Sequence, residues 1–155
     1  LQRNIWNDSN PIILGMFSRT MAEVALANEY LRQTTPAKLS GRGVTDAALL
    51  AEIEDYRNEV KVLRAYAYYN LMDLYGKAPF LTEADPVNFA GPEYNRQQLF
   101  TFIETELTTV LPELKAPRTN EYGRLDQAFA RMVLAKIYLE IGDLITITNL
   151  LLISL

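Results

Sequence analysis

Among its 155 residues the chain has no cysteine and no histidine. Disulfides, thiol chemistry, histidine-ligated metals and Ser-His or Cys-His nucleophile systems are thereby excluded from this stretch. The missing cysteine does not identify a compartment, because reduced and exported proteins alike can lack it. No block of like charge stands out: 15 basic residues face 19 acidic ones, for a net charge of −4. An electrostatic footprint for nucleic acid is therefore absent. The uncharged run LITITNLLLISL at 144–155 falls well short of the ~20 residues a membrane helix needs. No cofactor signature is present, and Gly76-Lys77 is not a phosphate loop, because the earlier glycine that such a loop requires is lacking.

What is present is ordinary globular material, 49% hydrophobic and 22% charged, and long enough to bury a core. Four helices are expected, in two pairs. Residues 10–32 pair with 46–75, and 96–111 pair with 126–141. Asn10 and Pro11 read as N-cap and first helical residue. The first helix carries Ile13, Met16, Phe17, Met21, Val24, Leu26, Ala27 and Leu31. Ile12, Leu14 and Ala25 widen its stripe, which predicts burial on more than one side. Thr34 to Arg42 reads as a loop, with Thr45 or Asp46 capping the next helix.

That second helix is the spine. Its apolar steps run Leu49, Ile53, Tyr56, Val60, Leu63, Ala67, Leu71 and Leu74 along one face. Gly76 sits where a terminating glycine belongs, and Pro79 prevents resumption. Lys77 to Asn95 is the longest irregular part. Asn95 or Arg96 opens the third helix, with Leu99, Phe102, Ile103, Leu107, Val110 and Leu111 as its stripe. Asp126 caps the fourth, where Ala128, Met132 and Ala135 have the spacing of a tetratricopeptide helix. The whole of 1–155 reads as a single all-α domain of tetratricopeptide-like hairpins with long loops. Residues 1–9 form a loop, 10–142 the helical repeat region, and 143–155 an apolar tail. Leu1 at the start, with no signal-like segment after it, predicts a processed, trimmed or partial chain.

Few residues look chemical. Glu52, Glu54, Asp55 and Glu59 read as a solvated helix face rather than an acid/base pair. Glu104 and Glu106 point to different sides of their helix. Tyr66, Tyr68, Tyr69 and Tyr75 read as packing between helices, with hydroxyls reaching loop backbone or water. Trp6 differs, because Asn4, Asn7, Asp8 and Asn10 surround it. An indole beside amides suits a sugar or peptide, although an anchor tucked beneath its own loop fits the same residues.

Four separated stretches carry a resemblance. They are Ala27-Asn28-Glu29-Tyr30-Leu31-Arg32; Leu63 to Tyr69 with Asp73-Leu74-Tyr75-Gly76 and Pro79 to Glu83; Arg96 to Leu107; and Gly123-Arg124-Leu125 through Tyr138-Leu139. In this order the chain resembles the N-terminal part of SusD/RagB-type proteins, the nutrient-binding surface lipoproteins of Bacteroidetes. After Glu140 it departs from the family pattern, with Ile141-Gly142-Asp143 and the apolar tail.

The resemblance implies a non-enzymatic binding subunit, held at the outer-membrane surface by a lipid anchor lying outside this stretch. It would capture an oligosaccharide or peptide for a SusC/RagA-type TonB-dependent transporter. It further implies structural roles for Asn28, Arg64, Tyr69, Gly76, Pro79, Arg124 and Tyr138, with much of the ligand site in loops beyond these helices. Trp6 and Asn7 are the expected ligand contacts here. A helical-repeat scaffold for protein partners, without a transporter, is the competing expectation.

Overall fold

A computed structural model describes residues 10–142. Helix α1 spans Pro11–Gln33. Asn10 starts it by accepting hydrogen bonds from the Ile12 and Ile13 amides at 3.0 and 3.4 Å. Pro11 occupies a position whose N–H would have no helical partner anyway. The expected Thr34–Arg42 loop instead contains a short helix, α2, at Pro36–Gly41. Pro36 opens this turn for the same reason that Pro11 opens α1, and Leu39 buries against the rest.

Helix α3, Ala47–Tyr75, is capped by Asp46, whose carboxylate accepts from the Leu49 amide at 2.8 Å. It stops at Gly76, which adopts φ +72° and bonds its amide to the Met72 carbonyl. A left-handed residue is the usual helix stop, and glycine takes that conformation without a Cβ clash.

The buried surface of α3 departs from the expected stripe. Leu49, Leu63 and Leu74 are exposed, while Asn58, Val62, Arg64, Ala65, Tyr68, Tyr69 and Met72 are buried. The helix is packed by α1 on one side and by α4 (Arg96–Val110) on the other. Two flanking partners bury two adjacent strips, and a single apolar stripe describes neither. The wide stripe of α1 also misled: α1 packs chiefly on α3, and Ile12, Leu14, Ala25 and Leu26 face outward.

Lys77 to Asn95 is not wholly irregular. β1 (Lys77–Pro79) pairs antiparallel with β2 (Glu93–Asn95), with Ala78 opposite Tyr94. The Phe80 amide extends the ladder to the Pro92 carbonyl at 2.9 Å. Pro79 fits here because an isolated two-stranded ribbon leaves one edge of each strand without ladder bonds. At Gly91 a Cβ would lie 2.0 Å from the Phe80 oxygen, so only glycine admits this approach.

Asn95 and Gln98 form a reciprocal capping box at the start of α4. A 3-10 turn at Leu111–Glu113 follows. Asp126 then caps α5, Gln127–Glu140, by accepting from the Ala128 and Phe129 amides. The buried side of α5 is Ala130, Val133, Leu134 and Ile137, whereas Met132 is exposed. The expected Ala128–Met132–Ala135 register is therefore displaced, because α5 turns its 130/133/134/137 edge to α4 and α3. The two hairpins, α1 with α3 and α4 with α5, stack through α3 and α4 around Val24, Leu31, Val62, Tyr68, Leu71, Leu99, Ile103, Leu107 and Leu134. The fold is all-α and tetratricopeptide-like, with one small β ladder.

Candidate functional site

The strongest polar constellation lies at the junction of both hairpins and the 77–95 segment. Arg64, 4% exposed, donates to Asn28 Oδ1 at 2.7 Å and to Glu106 Oε1 from Nε and a terminal nitrogen at 3.1 and 2.7 Å. It also pairs with Glu83. Its guanidinium lies 5.7 Å from the Phe102 ring centroid. One cation thus gathers α1, α3, α4 and the loop after β1. A planar fork of donors suits this divided task, which an ammonium could not perform.

The two carboxylates respond differently. Burial pushes Glu106 above its usual value, and the charge of Arg64 offsets this only in part. Glu83 is penalised by burial too, but the hydrogen bond and charge of Arg64 outweigh that and hold it low.

The loop is fastened by further bonds. Asn28 Nδ2 donates to the Leu81 carbonyl at 3.0 Å. Arg32 donates to the carbonyls of Glu83 and Asp85 at 3.2 and 3.0 Å. The Tyr68 hydroxyl donates to the Leu81 carbonyl and accepts from the Leu81 amide, at 2.9 and 2.8 Å. Burial pushes that phenol up to about 12. Tyr75 donates to the Ile13 carbonyl at 2.9 Å. Tyr66 and Tyr69 stack on each other, and Tyr66 meets Phe129 edge-on. The donor nitrogens of Asn28, Arg32 and Arg64 and the hydroxyls of Tyr68 and Tyr75 are all engaged within the protein, so the work of these groups is positioning.

A second constellation corrects the solvated reading at Glu59, while Glu52 and Glu54 are exposed as that reading expects. Glu59 is 9% exposed and accepts two bonds from Arg124, at 2.8 and 2.6 Å. Asn120 Nδ2 and the Leu125 amide donate to it at 3.1 and 3.3 Å. Burial raises the carboxyl, but these donors more than compensate and its pKa is lowered. Arg124 also lies over the Tyr56 ring at 4.3 Å. Nothing local in the sequence marks Glu59, since its partners come from the loop before α5.

The other residues selected from sequence fall as follows. Asn28 and Arg64 meet in the first constellation, and Arg124 belongs to the second. Gly76 closes α3 and Pro79 ends β1. Tyr69 lies 5.7 Å from the Lys136 ammonium. Tyr138 packs edge-on against Phe100 and donates to Glu104 at 2.6 Å. The sequence pattern did not mark Glu83, Glu106 or Arg32 as members of the network. Trp6, Asn7 and the 144–155 run lie outside the described residues. Among the described residues, no cluster of acidic side chains has metal-binding geometry, and no helix is long and apolar enough to cross a membrane.

This geometry defines a class: stacked helical hairpins clamping a long loop through a buried arginine. The starch-binding protein SusD of Bacteroides thetaiotaomicron is 31% identical to the chain over 140 residues, covering 88% of this chain and 22% of SusD. The surface glycan-binding protein A of Bacteroides uniformis superposes with a TM-score of 0.70 at 23% identity, over 88% of this chain and 30% of that one. A SusD-like carbohydrate-binding protein of Bacteroides fragilis reaches 0.76 at 14% identity, over 96% and 28%. No family model matches. Over most of its length the chain is similar to a segment of SusD, and it spans about a fifth of the length of that curated relative.

Proposed function

We propose that the chain is the helical platform of a cell-surface glycan-binding protein. The protein captures oligosaccharides and delivers them to a SusC-type TonB-dependent outer-membrane transporter, with no bond broken. The observation that carries this reading is the 31% identity to starch-binding SusD, which runs across both helical hairpins and the loop between them. The Arg64 network supports it, since residues buried entirely in holding a loop suit a rigid binding scaffold rather than a reaction centre. A lipid anchor at the outer membrane belongs to the same reading, and Trp6 and Asn7 remain its candidate ligand contacts near the start of the chain.

The test is a binding screen of the full-length protein against polysaccharides, oligosaccharides and peptides by calorimetry. It is joined to co-purification from outer membranes. Glycan binding without release of new reducing ends, together with a β-rich membrane partner, is expected. Binding of peptides alone would move the protein to the peptide-capturing branch of the same architecture. Hydrolysis of the bound glycan would refute the non-enzymatic reading.

A further inference from the structure

Two open concavities adjoin along one side of α4. The first, about 510 Å³, is lined by Phe80, Tyr94, Gln97, Thr101, Phe102 and Thr105 among others. The second, about 410 Å³, continues from the shared Phe102 and Thr105 to Lys61, Asn58, Thr109 and Glu113. Together they make one trough that follows α4 from Gln97 to Thr109, about 18 Å at 1.5 Å per residue. At one end the floor is aromatic. The Phe80 and Tyr94 rings stack at 4.1 Å and 5°, and Phe102 meets Phe80 edge-on at 4.7 Å.

Thr101, Thr105 and Thr109 stand exposed along the rim. The Thr101 and Thr105 hydroxyls donate to the carbonyls of Gln97 and Thr101, which leaves their oxygens as acceptors toward the trough. Gln97 adds an exposed amide. The aromatic end carries no charge, and at the far end the cations Lys61 and Arg64 are offset by Glu54, Glu106 and Glu113, so no net cationic patch develops.

We infer that this trough is a subsite for a neutral, extended oligosaccharide, with one sugar ring against the Phe80–Tyr94 stack and its hydroxyls on the threonine and glutamine rim. Sugars present an apolar C–H face and a polar edge, and this floor and rim offer the complement of each. The absence of a cationic surplus disfavours acidic ligands. The network of Arg64 and Tyr68 holds the loop that delivers Phe80, so the floor is formed before a ligand arrives. The inference rests on the glycan-binding reading and assigns it a place.

The test uses the full-length protein and whichever neutral oligosaccharide the screen retrieves. Thr101→Arg fills the trough from an exposed helix position, and Tyr94→Ala removes half of the stack. Each should weaken binding by about tenfold or more, with the thermal transition of Thr101→Arg unchanged. Full affinity in Thr101→Arg would overturn the subsite while leaving the glycan-binding reading intact. A fall in the thermal transition of Thr101→Arg would overturn it differently, by showing that another part of the protein fills the trough. A protein that bound no glycan at all would remove both.

Discussion

Replacing Arg64 tests the central network most directly. In Arg64→Met the side-chain volume is nearly kept but the cation is lost. Glu106, whose side chain is 8% exposed, then keeps a carboxylate without its partner, and Asn28 Oδ1 loses its donor. Breaking a buried pair from one side costs about 3–5 kcal/mol. The orphaned amide oxygen overlaps with that figure and is not added in full. Glu83, at 33% side-chain exposure, can recover water and contributes little.

The expected loss is about 4 kcal/mol, close to a thousandfold in the folding equilibrium. The assay is urea denaturation of the full-length protein followed by helical circular dichroism, at several pH values. Because burial already raises Glu106, loss of Arg64 raises it further. The charged form is then the destabilising one. The deficit of the variant should therefore be largest near neutral pH and shrink as acid protonates Glu106. The double variant Arg64→Met/Glu106→Leu should regain most of the loss. A loss under about 1 kcal/mol, or a double variant no better than the single one, would refute the reasoning.

Four more outcomes are expected. Glu59→Gln should cost about 2 kcal/mol near neutral pH. Glu59 is lowered from its ordinary 4.5, so its contribution is present above that value and lost as pH falls through the lowered one. Thermal melts of variant and parent should therefore converge in acid, and parallel curves would contradict the pair. Gly91→Ala should lose about 2 kcal/mol, because its new carbon meets the Phe80 backbone. Gly15→Ala, with nothing within 4 Å in the second turn of α1, should gain about 0.5 kcal/mol or more, and urea titrations compare the two. Trp6→Ala should weaken glycan affinity of the full-length protein by about tenfold, and unchanged calorimetric affinity would remove Trp6 from the site.

Local signals in the sequence were legible because their physics is local. Asn10, Asp46, Asn95 and Asp126 each satisfy amides two or three residues away, and Gly76 ends α3 through its own backbone. The long-range pairings had no such signature. Glu106 lies 42 positions from Arg64, and Arg124 lies 65 from Glu59, so only the folded chain brings them together. Arg64 is a cation inside the apolar run Val62-Leu63-Arg64-Ala65-Tyr66, and only the resemblance gave it a structural role. The stripes of α3 and α5 misled because periodicity reports one buried face. α3 has neighbours on two sides, and Leu63 of its stripe was left outside while Asn58 and Glu59 went in. The β1–β2 ladder escaped because three-residue strands containing Pro79 carry almost no pattern.

The loop between β1 and β2 is tied down at both ends. Its first part is held by Tyr68, Asn28, Arg32 and Arg64, and its last by Gly91, Pro92 and the ladder. Between these clamps, Pro86 to Ala90 meets fewer obligations, and Val87 and Phe89 stand exposed. Chain inserted there would add only closure entropy, about 0.6 kcal/mol for each doubling of the free span. The clamps would hold their register regardless. Such a stretch can lengthen, shorten and change composition during descent without disturbing the helices. The surface it presents is thus open to diversification on a frame that stays constant.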